Sequence, residues 1–209
     1  MSTYLFDFDG TLVDSMDTYV GVMLSILDKN NIKYRKDIVK IITPLGYLGT
    51  AKYFIELGVP GTAEELVEKM RENMVYEYTN NIGEKPNVIE AIRTLHNRGD
   101  ALNVLTASPH ATLDPCLKRL GLFDIFDNVW SCDDFNTTKA DPEIYKMAAE
   151  KIGTTVNDVI FLDDNFNALM TAKSAGMRIY GVYDKSSEEY TEEIKSISDK
   201  YISDFKELI

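Results

Sequence analysis

Residues 4–15 near the N-terminus read Tyr4-Leu5-Phe6-Asp7-Phe8-Asp9-Gly10-Thr11-Leu12-Val13-Asp14-Ser15. The stretch starts as a short apolar run, which is typical of a buried strand, and a glycine turn follows it. Asp7 and Asp9 stand where that strand is predicted to end. Two acids at this spacing are costly, because burial and mutual repulsion both oppose their ionisation. A cation or a reacting phosphoryl group would remove the cost, so the pair indicates chemistry rather than a surface loop.

The block that follows, residues 15 to about 83, is predicted to be helical throughout. A short second helix is predicted to end before Pro44, since the residue before a proline avoids the helical region. The glycine-bracketed segment 45–49 is predicted to be a loop. Thr62 and Glu65 have the spacing of a capping box, which predicts the start of a long helix.

After this block, apolar strand patterns alternate with helical patterns. Strands are predicted at 101–106, 128–131, 158–162 and 178–182, with an edge strand at Tyr201 and Ile202. This alternation predicts an α/β fold with a Rossmann-like parallel sheet core and helices on both faces. Because the N-terminal strand belongs to the sheet, the helical block is an insertion. We expect a core of residues 1–14 and 84–209, and an α-helical cap of residues 15–83.

Polar side chains follow several of the predicted strands. In open parallel sheets, ligands bind beyond the carboxyl ends of the strands, so these side chains should converge at one edge. They are Asp7 and Asp9 after the first strand, Thr106 and Ser108 after the second, Lys139 in the loop after the third, and Asp163 and Asp164 after the fourth.

Each of these residue types has a part in phosphoryl transfer. A carboxylate can attack phosphorus and divide one difficult step into two. A second acid can protonate the leaving oxygen and then accept a proton from water. Hydroxyl groups and a lysine can hold the phosphoryl oxygens, and magnesium prefers hard oxygen ligands such as carboxylates.

In the order Asp-x-Asp-Gly-Thr, Thr106, Lys139 and Asp163-Asp164, these residues resemble the four signatures of the haloacid dehalogenase-like (HAD) hydrolase superfamily. The branch they resemble contains phosphoglycolate phosphatases and beta-phosphoglucomutases with a helical cap. The resemblance implies Asp7 as the covalent nucleophile and Asp9 as the general acid/base. It assigns Thr106 and Lys139 to the phosphoryl group, and we expect Ser108 to contact substrate too.

The same resemblance implies a Mg²⁺ site. Its ligands would be Asp7, Asp164 and the backbone carbonyl of Asp9. Many family members have glycine where this chain has Asp163, and Ala168 stands at a second acid position. We therefore expect Asp164 to bind the metal and Asp163 to support it.

The helical cap is predicted to be mobile, to close over the site and to select the substrate. Tyr47 and Lys52 could face the leaving group; equally, Tyr47 could pack within the cap and Lys52 could be solvated. Of the two histidines, His96 is expected to face solvent, and His110 is interpreted as a helix-start residue near the site.

The favoured function is hydrolysis of a small-molecule phosphate monoester through a phospho-aspartate on Asp7. A sugar-phosphate mutase is the alternative, and a non-catalytic HAD-like binding protein is a weaker one. A signalling receiver domain has similar residues in a different order. Dehalogenase and phosphonatase branches of the family generally lack the acid at the position of Asp9, because they have no alkoxide leaving group to protonate.

Composition limits the partners. The net charge of −12 over 209 residues argues against nucleic acid, whose phosphates require basic surfaces. Cys116 and Cys132 lack CxxC spacing, which suits reduced thiols. Because the first strand is predicted to start near residue 4, we expect no signal peptide, and no apolar run in the sequence is long enough to predict a membrane span. We expect a cytoplasmic protein, a monomer or weak dimer, that acts on a small phosphorylated metabolite and binds no membrane.

Overall fold

The computed structural model describes residues 1–42 and 45–209. Contacts divide the chain into two compact units: Met1–Ser15 with Ile82–Ile209, and Met16–Asn81. The second unit is thus inserted into the first, directly after the motif that carries Asp7 and Asp9. The helix end predicted before Pro44 lies outside the described residues.

The inserted unit is helical. Its helices are α1 (Met16–Lys29), α2 (Ile38–Ile42), α3 (Gly46–Glu56) and α4 (Ala63–Asn80). The capping box at the start of α4 is confirmed: the Glu65 amide donates to the Thr62 hydroxyl at 3.2 Å, and the Thr62 amide donates to the Glu65 carboxylate at 2.8 Å. These bonds satisfy two backbone donors that a helix start leaves without intrahelical partners.

The loop predicted at residues 45–49 is wrong, because α3 already begins at Gly46. Helix α3 buries Thr50, Ala51 and Phe54, and this tertiary packing outweighs the weak helix propensity of glycine. A Cβ on Gly49 would lie 2.8 Å from the Leu45 Cβ atom. Gly49 therefore permits a close approach to the residue before the helix rather than marking a loop.

The other unit is an α/β sandwich. Its elements are β1 (Thr3–Phe6), α5 (Val88–Asn97), β2 (Ala101–Thr106), α6 (His110–Arg119), β3 (Asn128–Ser131), α7 (Glu143–Ile152), β4 (Val159–Asp163), α8 (Phe166–Ala175), β5 (Arg178–Val182), α9 (Thr191–Ile197) and β6 (Lys200–Ile202). The sheet has the order β3-β2-β1-β4-β5-β6, and every neighbouring pair is parallel. The predicted Rossmann-like sheet is confirmed.

Strand β1 lies in the middle of the sheet, between β2 and β4. The chain moves outward from β1 in one direction to β3 and in the other to β6, so right-handed crossovers place helices on both faces. Leu5, Phe6, Phe161 and Leu162 of the two central strands are fully buried. Strands buried on both faces read as continuous apolar runs, which is why the sequence located them. The residues that follow these strands are consequently held on a rigid edge.

Among the described residues, none of the helices has both the length and the apolar character needed to cross a bilayer.

Candidate active site

Three carboxyl groups meet at the carboxyl ends of β1 and β4. Asp7 follows β1, and its amide donates to the Leu162 carbonyl of β4 at 2.8 Å. Asp163 is the last residue of β4, and Asp164 follows it. All three side chains are buried, and one carboxylate oxygen from each lies within 4.8 Å of those of the other two. Asp7, Asp163 and Asp164 therefore lie close together at one edge of the sheet, as expected from their positions after the strands.

Lys139 supplies positive charge to this cluster. Its ammonium donates hydrogen bonds to Asp7 Oδ1 and, at 2.9 Å, to Asp163 Oδ2. The hydroxyl of Tyr145, on α7, lies 3.1 Å from the carbonyl oxygens of both Lys139 and Ala168. Tyr145 thus ties the loop that carries the lysine to helix α8.

Burial sets the electrostatics of the cluster. It raises the pKa of Asp7 from 3.8 to about 8, and the charges of Asp163 and Asp9 act in the same direction while Lys139 opposes them. Burial and the charge of Asp163 also raise the pKa of Asp164. Burial alone would lower the pKa of Lys139, but Asp163 and Asp7 outweigh it, so this pKa is raised and the lysine stays protonated. The cluster holds more carboxyl groups than one ammonium can neutralise.

An oxygen-rich cluster of this kind fits a hard divalent cation. Asp7, Asp163 and Asp164 offer carboxylate oxygens only, which is the donor set that Mg²⁺ prefers over softer ligands. A cation would also offset the desolvation and repulsion that raise the pKa values of Asp7 and Asp164. The residues present therefore fit a divalent metal ion.

The two acids of β4 have different partners. Asp163 uses both carboxylate oxygens, one with Lys139 and the other with the Asn165 amide at 2.7 Å. Asp164 accepts a long hydrogen bond of 3.4 Å from the Thr11 hydroxyl. A Cβ on Gly10 would lie 2.8 Å from the Asp164 carboxyl group, so only glycine lets the first loop approach this acid so closely.

Asp9 is held by two hydroxyl groups from different parts of the chain. Ser15 Oγ donates to Asp9 Oδ1 at 2.6 Å, and Ser108 Oγ donates to Asp9 Oδ2 at 2.5 Å. The Ser108 amide in turn donates to the Thr106 hydroxyl at 3.0 Å. The side chain of Asp9 is only partly buried, in contrast to that of Asp7. Its orientation is therefore fixed while one side stays accessible.

Two further predicted residues belong to the inserted unit. Tyr47 is in the helical unit, where its ring centroid is 6.0 Å from that of Tyr19, and Lys52 of the same unit is exposed. Contact of either residue with substrate stays a prediction. His96 is exposed, as expected.

His110 begins α6, as expected, but it has two acidic partners. Its ring nitrogens lie 2.7 Å from an oxygen of Asp114 and 2.9 Å from one of Asp134. The hydrogen bond with Asp114 is the main reason that its pKa is raised. His110 therefore links α6 to the turn after β3.

Two residues near the site were missed from the sequence. Lys85, in the segment interpreted as a linker, donates from its ammonium to the Gly10 carbonyl and to Asp184. Asp184 lies just beyond β5, in a charged segment without a motif. The pairing joins positions 99 residues apart, so no local sequence pattern predicts it.

Known proteins of similar sequence include phosphatases and haloacid dehalogenase-like hydrolases. The family model described as haloacid dehalogenase-like hydrolase matches residues 4–182. Pyrophosphatase PpaX from Bacillus velezensis is 27% identical over 183 residues, which cover 87% of this chain and 83% of that protein. Phosphorylated carbohydrates phosphatase from Thermotoga maritima is 27% identical over 184 residues, with 87% and 85% covered.

Solved structures agree with the fold. A candidate beta-phosphoglucomutase from Thermotoga maritima has a TM-score of 0.84 at 23% identity and covers 100% of this chain and 96% of its own. YfnB from Bacillus subtilis, whose structure is bound to magnesium, has a TM-score of 0.82 at 18% identity, with 99% and 96% covered. With the family model spanning most of the sequence and the acids of its first and last signatures meeting at one sheet edge, the chain belongs to the haloacid dehalogenase-like hydrolase family.

Proposed function

We propose that the protein is a magnesium-dependent phosphatase that hydrolyses a small-molecule phosphate monoester through a phospho-aspartate on Asp7. One observation carries the proposal: the buried carboxyl of Asp7 meets Lys139, Asp163 and Asp164 at the end of the central strand. Phosphoryl transfer depends mainly on positioning and on charge neutralisation, and this cluster supplies both.

In the first half-reaction, a carboxylate oxygen of Asp7 attacks phosphorus. The bond between phosphorus and the ester oxygen breaks, and Asp9 donates its proton to that leaving oxygen. The hydrogen bonds from Ser15 and Ser108 hold the Asp9 carboxyl in one orientation for this transfer. Because Asp9 lies two residues beyond Asp7 on the loop that leaves β1, one rigid strand end carries both groups.

In the second half-reaction, Asp9 accepts a proton from water, and the water oxygen attacks phosphorus. The bond between phosphorus and the Asp7 oxygen breaks, which releases phosphate and restores the carboxylate. Lys139 stays protonated throughout and places its charge where phosphoryl oxygens would gather. Thr106 would add a hydroxyl donor from the end of β2.

Magnesium would be held by Asp7, Asp164 and the backbone carbonyl of Asp9. When bound, it neutralises phosphoryl oxygens and favours the ionised form of Asp7. The two hydrogen bonds of Asp163, to Lys139 and to the Asn165 amide, support a positioning role for this acid rather than direct ligation.

The names of the relatives support the substrate class. Two similar proteins are named a pyrophosphatase and a phosphatase of phosphorylated carbohydrates, and both names describe small phosphorylated compounds. We therefore propose a sugar phosphate or a similarly small monoester as substrate, with pyrophosphate as the main competitor.

The test is a phosphate-release screen over phosphorylated metabolites, including sugar phosphates, phosphoglycolate and pyrophosphate. Each compound is assayed with magnesium and with EDTA, and NMR follows the glucose 1-phosphate anomers in parallel. Magnesium-dependent release from a monoester is expected. Isomerisation without phosphate release would establish the mutase instead, and preferred cleavage of pyrophosphate would replace the monoester assignment.

A further inference from the structure

Lys85 forms a nearly buried junction between two loops of the α/β unit. Its side chain is 12% exposed, and its ammonium has three acceptors. These are the Gly10 carbonyl at 2.8 Å, the Tyr183 carbonyl at 2.5 Å and Asp184 Oδ2 at 2.7 Å. All three donors of the ammonium group are thus in use, so Lys85 has a single well-defined position.

Asp184 anchors the other side of this junction. It follows β5, its side chain is 5% exposed, and its second oxygen accepts hydrogen bonds from the Ser186 amide at 2.8 Å and the Ser186 hydroxyl at 2.6 Å. Burial alone would raise the pKa of Asp184, but the hydrogen bonds from Lys85 and Ser186 outweigh it, and the pKa is lowered. The Asp184 carboxylate is therefore ionised, and both of its oxygens accept hydrogen bonds.

The Gly10 peptide, whose carbonyl accepts a hydrogen bond from Lys85, lies in the loop that follows β1 and carries Asp9. Gly10 joins Asp9 to Thr11, has a φ of +76°, and donates its amide to the Val13 carbonyl at 3.0 Å. On its other side, the Asp164 carboxyl is so close that a Cβ would collide with it. A shift of this peptide would consequently move Asp9 relative to Asp164.

We propose that Lys85, anchored by Asp184, is a positioning residue that fixes the Gly10 peptide and thereby the proton-transferring Asp9. The inference rests on the proposed function, since Asp9 has a task to be positioned for only if the reaction occurs. Lys85 acts on this loop through the Gly10 backbone carbonyl. Lys139, in contrast, contacts the side chains of Asp7 and Asp163. Its loss should affect the rate of the chemical step rather than substrate binding.

The variants are Lys85→Met, which keeps the length of the side chain but removes its charge, Asp184→Asn, and the two combined. The matched control is Arg98→Met. Arg98 also pairs with a buried acid, Asp100 at 2.7 Å, but this pair precedes β2 and lies at the opposite edge of the sheet. Thermal unfolding of each variant sets an assay temperature at which all of them are folded.

Two readouts are measured: kcat and KM with the best substrate of the wild-type protein, and hydrogen exchange of the Gly10 amide. We expect Lys85→Met to lower kcat by about 10- to 100-fold, as misplaced catalytic groups do, with KM nearly unchanged. Gly10 exchange should accelerate, and Asp184→Asn should have a smaller effect in the same direction. The double variant should resemble Lys85→Met, because Asp184 acts through the lysine. Arg98→Met should change stability alone.

Unchanged kcat and unchanged Gly10 exchange in Lys85→Met and Asp184→Asn would overturn the inference and leave the proposed function intact. An effect in Arg98→Met as large as in Lys85→Met would also overturn it, since general destabilisation would then explain both. If the wild-type protein releases no phosphate from any compound, the proposed function fails, and Gly10 exchange alone decides whether Lys85 holds the loop. Should Lys85→Met fail to fold, the comparison of Asp184→Asn with Arg98→Met decides.

Discussion

The carboxyl of Asp7 is unfavourable for folding in the metal-free protein. The unfolded chain ionises this group near its ordinary pKa of 3.8, whereas the folded pKa is about 8. Between these values the unfolded state releases a proton that the folded state retains, so stability falls as pH rises from about 4 to about 8. Burial of this carboxyl in the cluster is thus a measurable cost in stability.

Asp7→Asn should separate activity from stability. Without the proposed nucleophile, turnover should fall roughly a thousandfold or more, which corresponds to about 4 kcal/mol in the barrier. In EDTA, the variant should be more stable than the wild-type protein, with no gain near pH 4 and the full gain above about pH 8. Phosphate release and urea unfolding over this pH range measure the two effects.

Asp124→Asn is the matched control, because it makes the same chemical change at an exposed position outside the cluster. It should alter neither activity nor the pH dependence. Near-normal turnover of Asp7→Asn, or a stability difference that does not vary with pH, would contradict the assignment.

Gly10→Ala tests the close approach between the first loop and Asp164. A φ of +76° costs a non-glycine residue about 1–2 kcal/mol, and the new Cβ would collide with the Asp164 carboxyl. We expect lower stability and a strong loss of turnover. Gly21→Ala is the control. Gly21 lies inside α1, and among the described residues no atom apart from its chain neighbours and its own helix backbone lies within 4 Å of an added Cβ, so alanine should stabilise by about 0.5–1 kcal/mol. If Gly10→Ala behaved like Gly21→Ala, the tight packing would be refuted.

At the scale of elements, the strands were predictable because they are short apolar runs between glycines and polar turns. The predicted bounds of β2, β3 and β5 agree with the structure. Asp7 directly follows β1, and Asp164 directly follows β4. The loop predicted at residues 45–49 was wrong because packing of α3 outweighs the low helix propensity of its glycines. A local pattern carries no information on such packing.

In the candidate site, the residues at strand ends were predictable from the sequence, but the long-range hydrogen bonds were not. Asp7 and Asp164, which meet in the carboxyl cluster, could be found because they follow strands and the parallel order brings strand ends together. The hydrogen bonds of Asp9 to Ser108 and of Lys85 to Asp184 could not, since each joins residues 99 positions apart. Their geometry depends on the folded loops rather than on any spacing in the sequence.

Helix α4 should depend on its capping box. Thr62→Ala removes the acceptor for the Glu65 amide, and losing such a cap costs about 1 kcal/mol. We expect a lower midpoint for unfolding of the helical unit, measured by circular dichroism in urea. Thr62→Ser keeps the hydroxyl and should retain most of the stability. Equal losses in both variants would show that the hydroxyl contact is unimportant.

At the scale of the molecule, a helical unit is inserted directly after the loop that carries the proposed acid/base. We propose that this unit acts as a cap and selects the substrate. The net charge of −12 suits a protein that binds its substrate through local hydrogen bonds and a metal rather than through a broad basic surface.

Lys52→Ala tests the proposed role of the helical unit. If Lys52 contacts the leaving group, the variant should change the order of preference across the metabolite panel and leave the magnesium requirement unchanged. Lys69→Ala is the control, because Lys69 is also exposed and belongs to the same unit. An unchanged substrate profile in Lys52→Ala would remove this residue from the proposed binding site.

An acid quench during a single turnover, with enzyme in excess over substrate, tests the covalent role of Asp7 most directly. A phospho-aspartate would persist on the enzyme until water attacks its phosphorus, so the quenched enzyme is sampled before hydrolysis is complete. Mass spectrometry of its peptides should then show a phosphoryl group on Asp7 that is absent from Asp7→Asn. Turnover by the wild-type protein with no phosphoryl group on Asp7 at any quench time, or with the group on another residue, would contradict the account.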